Sequence, residues 1–282
     1  MNSNRLEIHD YILKFFKYLS LIISSLITIA PLILIFFGAF KGNKELLTTG
    51  VLTPPKNWFN FDNFVTAWIK GNMAVGFMNT GIILVASITA TILTGTMTAY
   101  VLSRFQFQMK SLIKFLFLLA SLIPSITMQM STFQIIVGLG LYNTRLATII
   151  LFAGTDIISI YIFLQFLSGI SYSLDEAGIM DGASFPRIYF NILMPLLKPA
   201  IVTVIIIKGI GFYNEFYTPF LYMKSKNLSV ISTSLYAFQG PYGTKWEVIC
   251  AACVITMIPT LLIFISLQKH IYTGLTAGSV KG

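Results

Sequence analysis

The stretch Glu176–Pro199, EAGIMDGASFPRIYFNILMPLLKP, is the longest run in the chain too polar and too interrupted to cross a bilayer, yet it lies between two segments that can. It carries Glu176 and Asp181, with Asp175 just before it, the basic groups Arg187 and Lys198, and Gly178 and Gly182. Ser173-Leu174-Asp175-Glu176 fits a capping box, with Ser173 opening a helix and Glu176 returning a bond from the third position. Gly182 can leave that helix without steric cost. Ser184 then caps a second helix that tolerates Pro186 in its first turn and carries Ile188, Ile192 and Pro195 towards the next apolar segment. Two short helices with a glycine hinge, set on the face of a membrane protein, form a docking shape.

Composition places the rest of the chain in the membrane. Of 282 residues, 56% are hydrophobic and only 10% charged, more apolar material than a soluble core can bury. Several segments exceed the ~18 apolar residues of a spanning helix. The net charge of +9 is not a nucleic-acid signature, because the basic residues stand singly in loops and at helix ends. That is the distribution of a protein anchored beside anionic lipid. Cys250 and Cys253 form a C-x-x-C inside the last apolar segment, without a second cysteine pair or a nearby histidine, and read as small packing residues on one helical face. No metal site is expected. The sequence has no G-x-x-x-x-G-K-[ST] loop for ATP phosphates and no nucleophile–base arrangement around His9 or His270.

Six spans follow along the chain: 18–40, 77–101, 112–137, 146–167, 199–223 and 248–267. Pro31, Pro124 and Pro259 are expected to kink or break the first, third and sixth. Ala86, Ser87, Ala90, Thr91, Thr94, Gly95 and Thr98 crowd the second with small residues, marking it as a central packing helix. The connector 41–74 holds Pro54, Pro55 and the aromatics Trp58, Phe59, Phe61, Phe64 and Trp68, a composition suited to the membrane interface. An N-terminal segment 1–17, a permease domain 18–268 with a loop at about 171–198, and a tail 269–282 make up the expected organisation, all-α throughout.

An even number of spans puts both ends on one side. With that side cytoplasmic, the inner segments hold ten Lys and Arg and the outer segments eight. The short connectors decide more, with three positive residues at 102–114 against one at 138–146. Both termini and the stretch 176–199 are therefore expected in the cytoplasm. Three ionisable residues fall within spans: Asp156, Lys208 and Glu215. Each costs ~2.5–3.5 kcal/mol at the bilayer centre and should face protein or a wet cavity. Asp156 and Lys208 both come near the midplane, so a salt bridge between neighbouring helices is expected. It reads either as part of a translocation path or as a structural pair joining spans four and five.

Glu176-Ala177-Gly178, then Gly182, then Ile192, Met194 and Pro195 resemble the EAA loop of bacterial ABC importer permeases, E-A-A-x3-G-x9-I-x-L-P. Gly178 stands where the second alanine is usual and Met194 where leucine is usual. The glycine should loosen the first short helix by ~1 kcal/mol relative to alanine. Asp181-Gly182-Ala183-Ser184 resembles the D-G-A-[ST] element of the carbohydrate branch, in the subunit similar to the maltose-type G permease. Tyr213-Asn214-Glu215-Phe216 with Pro219 is similar to its W-N-[DE]-F-x-x-P segment, with tyrosine for tryptophan. Gln268-Lys269 and the ending Gly274 to Gly282, GLTAGSVKG, resemble its tail.

The resemblance covers essentially the whole chain and implies a permease subunit of the bacterial cytoplasmic membrane that is not an enzyme. It implies a second, homologous permease completing the pathway, two cytoplasmic ATPase subunits carrying the ATP-Mg, and an extracytoplasmic sugar-binding protein. It makes Glu176, Ala177, Gly178, Asp181, Gly182, Ala183, Ile192 and Pro195 the ATPase-coupling residues, and Gly278, Lys281 and Gly282 an ATPase-contacting tail. No cofactor is implied in this chain. The outer loop 224–247, with Tyr236, Phe238, Tyr242 and Trp246, offers aromatic faces for sugar or the binding protein, or for the interface. A secondary carrier driven by an ion gradient is the rival reading. It would use Asp156 and Lys208, but the six spans show no internal repeat and it leaves the docking loop without a purpose. An intramembrane enzyme lacks any convergent constellation within the spans.

Overall fold

The computed structural model describes the backbone of residues 3–154, 156–240 and 243–277, and the side chains of 12–124, 126–154, 156–240 and 243–266. It is helical almost throughout. Three helices are long and apolar enough to cross a membrane singly, at Ile12–Phe40, Met73–Arg104 and Trp246–Ser266, and three further spans are bent helix pairs. Six crossings follow if each bent pair is one span.

Residues 1–71 and 235–260 form one compact unit. Its first helix, α1 (Ser3–Phe40), is continuous through residue 17 and through Pro31, so the expected boundary at residue 18 is not a break in the backbone. The connector after it folds into α2 (Asn43–Thr48) and α3 (Asp62–Lys70). A helix end leaves carbonyls without partners. Here the buried Asn63 amide donates to the carbonyls of Ala39 and Lys41 at 2.9 and 2.8 Å. Trp58 packs on Phe37 and Phe40, at 5.5 and 5.8 Å between ring centroids, and Phe64 packs on Phe40 at 5.0 Å. The Lys41 side chain, fully buried, donates to Thr49 Oγ1 at 3.0 Å and the Gly50 carbonyl at 3.2 Å. A two-residue hairpin, β1 (Gln239–Gly240) and β2 (Gly243–Thr244), interrupts the expected outer loop. The last helix begins at Trp246 and runs to Ala277, past the expected tail boundary at 268. In it Cys250 packs against Gly38 of α1, where an added Cβ would meet its sulfur at 2.9 Å.

Residues 72–234 and 261–282 form the second unit. It is organised on α4 (Met73–Arg104), the small-residue helix, whose buried face includes Ile83, Ser87, Thr91, Gly95 and Ala99. This is one stripe at helical spacing; Thr94, though small, faces out. The absence of a side chain on Gly95 admits the ring of Phe163, 3.1 Å from where its Cβ would be. The third span is α5 (Lys110–Leu122) and α6 (Gln129–Gly138), bent by 88° across Pro124. The expected proline break is a near-right-angle turn. The fourth span differs from expectation: it is α7 (Arg145–Ala153) and α8 (Ile157–Ser168), bent by 42°. The outer loop is pinned to α4 through the buried Asn79, which donates to the carbonyls of Asn227 and Ser229 at 3.0 and 2.8 Å and accepts from Arg145 at 2.7 Å.

Candidate coupling loop and the polar groups of the spans

The interrupted stretch is built as two helices, α9 (Ser173–Met180) and α10 (Phe185–Leu196), the second meeting α11 (Lys198–Asn214) at a 71° bend. The hinge is where the sequence puts it. Gly182 has φ +75°, its amide donates to the Ile179 carbonyl at 2.9 Å, and the Ala183 amide donates to the Gly178 carbonyl at 2.9 Å. That pair of bonds is a Schellman end, which closes a helix on a left-handed residue. Ser184 is extended and opens α10 with Pro186 in its first turn, but its hydroxyl caps nothing. The capping box is absent too. Tyr172 precedes α9, the Glu176 amide donates to the Tyr172 carbonyl at 3.2 Å, and the Ser173 hydroxyl pairs with that of Ser171 at 2.8 Å.

Gly178 corrects a second expectation. It is buried, and an added Cβ would stand 3.1 Å from both Ile188 Cγ1 and Ile192 Cδ1. Its lack of a side chain lets the two short helices close on each other, which offsets the helix propensity that glycine lacks. Ile188, Tyr189, Leu193 and Leu197 then sink into the core with Phe163, Leu167 and Ala99. The Tyr189 hydroxyl shares a 2.7 Å hydrogen bond with Thr96 of α4. Residues Tyr189–Leu193 widen into one π-helical turn before Pro195. A proline ring clashes with the carbonyl four residues back, and a wider turn relieves that clash while freeing the bond the missing N–H cannot make. On the other face Glu176, Ala177, Asp181 and Gly182 are exposed, together with Met180 at 88%.

Sequence reasoning missed the residue that fixes this loop to α4. Arg104, one of the three positive residues at 102–114, has a buried side chain, and its Nε lies 3.1 Å from Asp175 Oδ2. The two residues lie about seventy positions apart, with four α-helices between them, so their pairing left no local signal.

Asp156 and Lys208 meet as expected, with Nζ 2.8 Å from Oδ1. Asp156 is not mid-helix, however. It occupies the break before α8, where its other oxygen accepts from Ser159 at 2.5 Å. Glu215 lies elsewhere: it ends α11, and its carboxylate accepts from the Thr218 amide at 3.1 Å at the start of α12 (Tyr217–Tyr222). It is a helix cap, not a mid-span charge. Phe238 of the outer loop is buried, Tyr236 and Trp246 are exposed, and Tyr242 lies outside the described residues. Gly278, Lys281 and Gly282 also lie outside the described residues.

Apolar spans, several bent, around a compact two-helix loop define a polytopic transport permease. The chain belongs to the family described as binding-protein-dependent transport system inner membrane component, whose profile matches residues 91–276. Among its relatives is the probable starch degradation products transport system permease protein AmyC of Thermoanaerobacterium thermosulfurigenes, 30% identical over 98% of this chain and 99% of that one. The arabinooligosaccharides transport system permease protein AraQ of Bacillus subtilis is 28% identical over 92% of each. In fold, a crystallised bacterial ABC transporter involved in import of the acidic polysaccharide alginate matches with a TM-score of 0.83 at 20% identity, covering 93% of this chain and 97% of the other. The chain is thus a transport permease rather than an enzyme, and the ion-driven secondary carrier is set aside.

Proposed function

We propose that the chain is one of two permease subunits lining the pathway of a carbohydrate-oligomer importer of the bacterial cytoplasmic membrane, with both termini cytoplasmic. The loop α9–α10 docks in a cleft of a cytoplasmic ATPase subunit. The observation that carries this reading is the division of the loop into a buried face, packed on α4 and α8, and an exposed face bearing Glu176, Ala177, Met180 and Asp181. Glu176 offers charge-assisted hydrogen bonds at such an interface. The Schellman end at Gly182 and the close contact at Gly178 make the two helices one rigid lever. ATP-driven closure of the ATPase pair swings it. Gly278, Lys281 and Gly282 of the tail run along the same ATPase subunits. An extracytoplasmic binding protein delivers the substrate, and the substrates in the relatives' names, starch degradation products and arabino-oligosaccharides, support a carbohydrate.

Asp156 and Lys208 act in this reading as a staple at the break of the fourth span. The pair is close, partly shielded at 12% and 18% side-chain exposure, and supported by Ser159. The test of the whole reading is co-purification and uptake. The tagged chain is expected to bring down a second permease and an ATPase, and Met180→Cys to cross-link to that ATPase. Proteoliposomes of the complex should take up labelled malto- or arabino-oligosaccharides in an ATP-dependent way. A complex that carries amino acids or peptides and no carbohydrate would overturn the substrate class.

A further inference from the structure

Arg104 is the last residue of α4, and its side chain is 6% exposed. One planar cation there holds three elements. Its Nε faces the carboxylate of Asp175, 8% exposed, in the first turn of α9. Its two terminal nitrogens donate to the carbonyls of Ile170 at 3.0 Å and Leu167 at 3.5 Å, where α8 ends. Leu167 is in the last turn of α8 and Ile170 lies two residues beyond it, so the guanidinium holds the end of α8 while it faces α9. The guanidinium also lies 4.7 Å from the ring centroid of Tyr172, whose hydroxyl donates back to the Arg104 carbonyl.

Asp175 and Glu176 are adjacent acids with opposite placements, the first buried on Arg104 and the second exposed. A carboxylate in the first helical turn is favoured by the helix dipole. A buried ion pair is seldom more stabilising than well-packed apolar groups of the same size, so stability is a poor reason for this one. What the guanidinium supplies is fixed geometry: its planar fork of terminal nitrogens is held on the Leu167 and Ile170 carbonyls while its charge faces Asp175, a placement an ammonium cannot copy.

We propose that Arg104 is a positioning residue for energy coupling. Its contacts with Asp175, Tyr172 and the end of α8 make the lever's first turn and the inner end of α4 a single joint, through which lever movement reaches the span. This rests on the docking role assigned to α9–α10 above.

The test uses the complete transporter in proteoliposomes, with Asp175→Asn and Arg104→Lys as near-isosteric or charge-conserving variants. Spin labels at Met180 and Val101, 88% and 45% exposed, report the distance between lever and α4. In the unaltered protein that distance should be narrowly distributed, with or without vanadate-trapped ATP. Both variants should assemble and keep basal ATP hydrolysis. Their distance distributions should broaden, and stimulation by the system's own binding protein, purified with its endogenous cargo, should fall about tenfold, within the usual range of coupling energies. Wild-type stimulation with a narrow distribution overturns the proposal, and so does loss of assembly in both variants, which would make the joint a folding element only. Failure of Met180→Cys to cross-link to the ATPase in the otherwise unaltered protein would instead remove the docking role.

Discussion

Two glycines four residues apart in sequence, Gly178 and Gly182, set the lever's shape by different means. Gly182 is required by its backbone, because φ +75° suits glycine and penalises any β-branched residue. Gly178 is favoured by space, since an added Cβ would crowd Ile188 and Ile192. Gly178→Ala gains ~1 kcal/mol of helix propensity and loses about as much in overpacking against side-chain ends that can shift, so a near-neutral thermal midpoint is expected for the purified complex. Gly178→Leu has no such relief and should lower the midpoint by several degrees. Gly182→Val should cost about 1–2 kcal/mol, and Gly182→Asn clearly less, because asparagine tolerates the left-handed region. Equal midpoints for the two Gly182 variants would contradict the hinge. The Asp156–Lys208 pair is tested the same way. Lys208→Met strands a partly buried carboxylate, with a cost of up to about 3–5 kcal/mol that residual exposure reduces. Assembly, followed by fluorescence-detected size exclusion, should fall in that variant and recover in the double variant with Asp156→Asn. Normal assembly of Lys208→Met with lost uptake would make the pair part of the pathway instead.

At the scale of elements, a proline does not by itself end a helix: the first and last helices run on through Pro31 and Pro259, while the third span turns at Pro124. The turn at Pro124 was legible because proline removes a helical N–H and crowds the preceding turn, whereas the break at Asp156 was not. The run around it, LFAGTDIIS, is apolar on both sides, and only tertiary packing distinguishes a straight helix from two. The capping box was misread for a related reason. Local spacing suggested Ser173 and Glu176, but Arg104, about seventy residues away in sequence, and the neighbouring Tyr172 settled how the first turn of α9 is held. The glycine hinge and the exposed acids were legible because they depend on nearest neighbours alone. The wide turn at Tyr189–Leu193 had no sequence signal beyond Pro195 itself. It carries a prediction. Pro195→Ala restores an N–H and removes the ring, so α10 can regularise to ordinary helix. Losing one residue from the wide turn rotates one side of it against the other by about 100°. The Tyr189–Thr96 bond at 2.7 Å would then be lost or the lever would turn outward. We expect the variant to fold, with Met180→Cys cross-linking to the ATPase reduced several-fold. Unchanged cross-linking would mean that the wide turn has another cause.

For the molecule as a whole, the number of bent pairs that cross the bilayer fixes which side the lever faces, and a sidedness measurement reads this out. Leu52 is exposed on the connector after the first span, and Met180 is exposed on the lever after the fourth. If α4, the pair bent by 88° and the pair bent by 42° each cross once, three crossings separate the two positions and they face opposite sides. If the sharply bent third pair instead enters and leaves on one face, only two crossings remain and both positions face the same side. The 88° turn at Pro124 makes this a real alternative on geometry alone. The apolar composition favours crossing, because exposed backbone at a turn within lipid must find partners in neighbouring helices. Single cysteines at these two positions, in a background with Cys250→Ala and Cys253→Ser, can be probed with a membrane-impermeant maleimide. Leu52→Cys should label in intact cells and Met180→Cys only in inverted vesicles. That result requires an odd number of crossings between them and places the lever with the cytoplasmic termini, where an ATPase can reach it. Labelling of both from outside would put the lever beyond the reach of any cytoplasmic partner, and neither the rigid loop nor the Arg104 joint would then have a motor to serve.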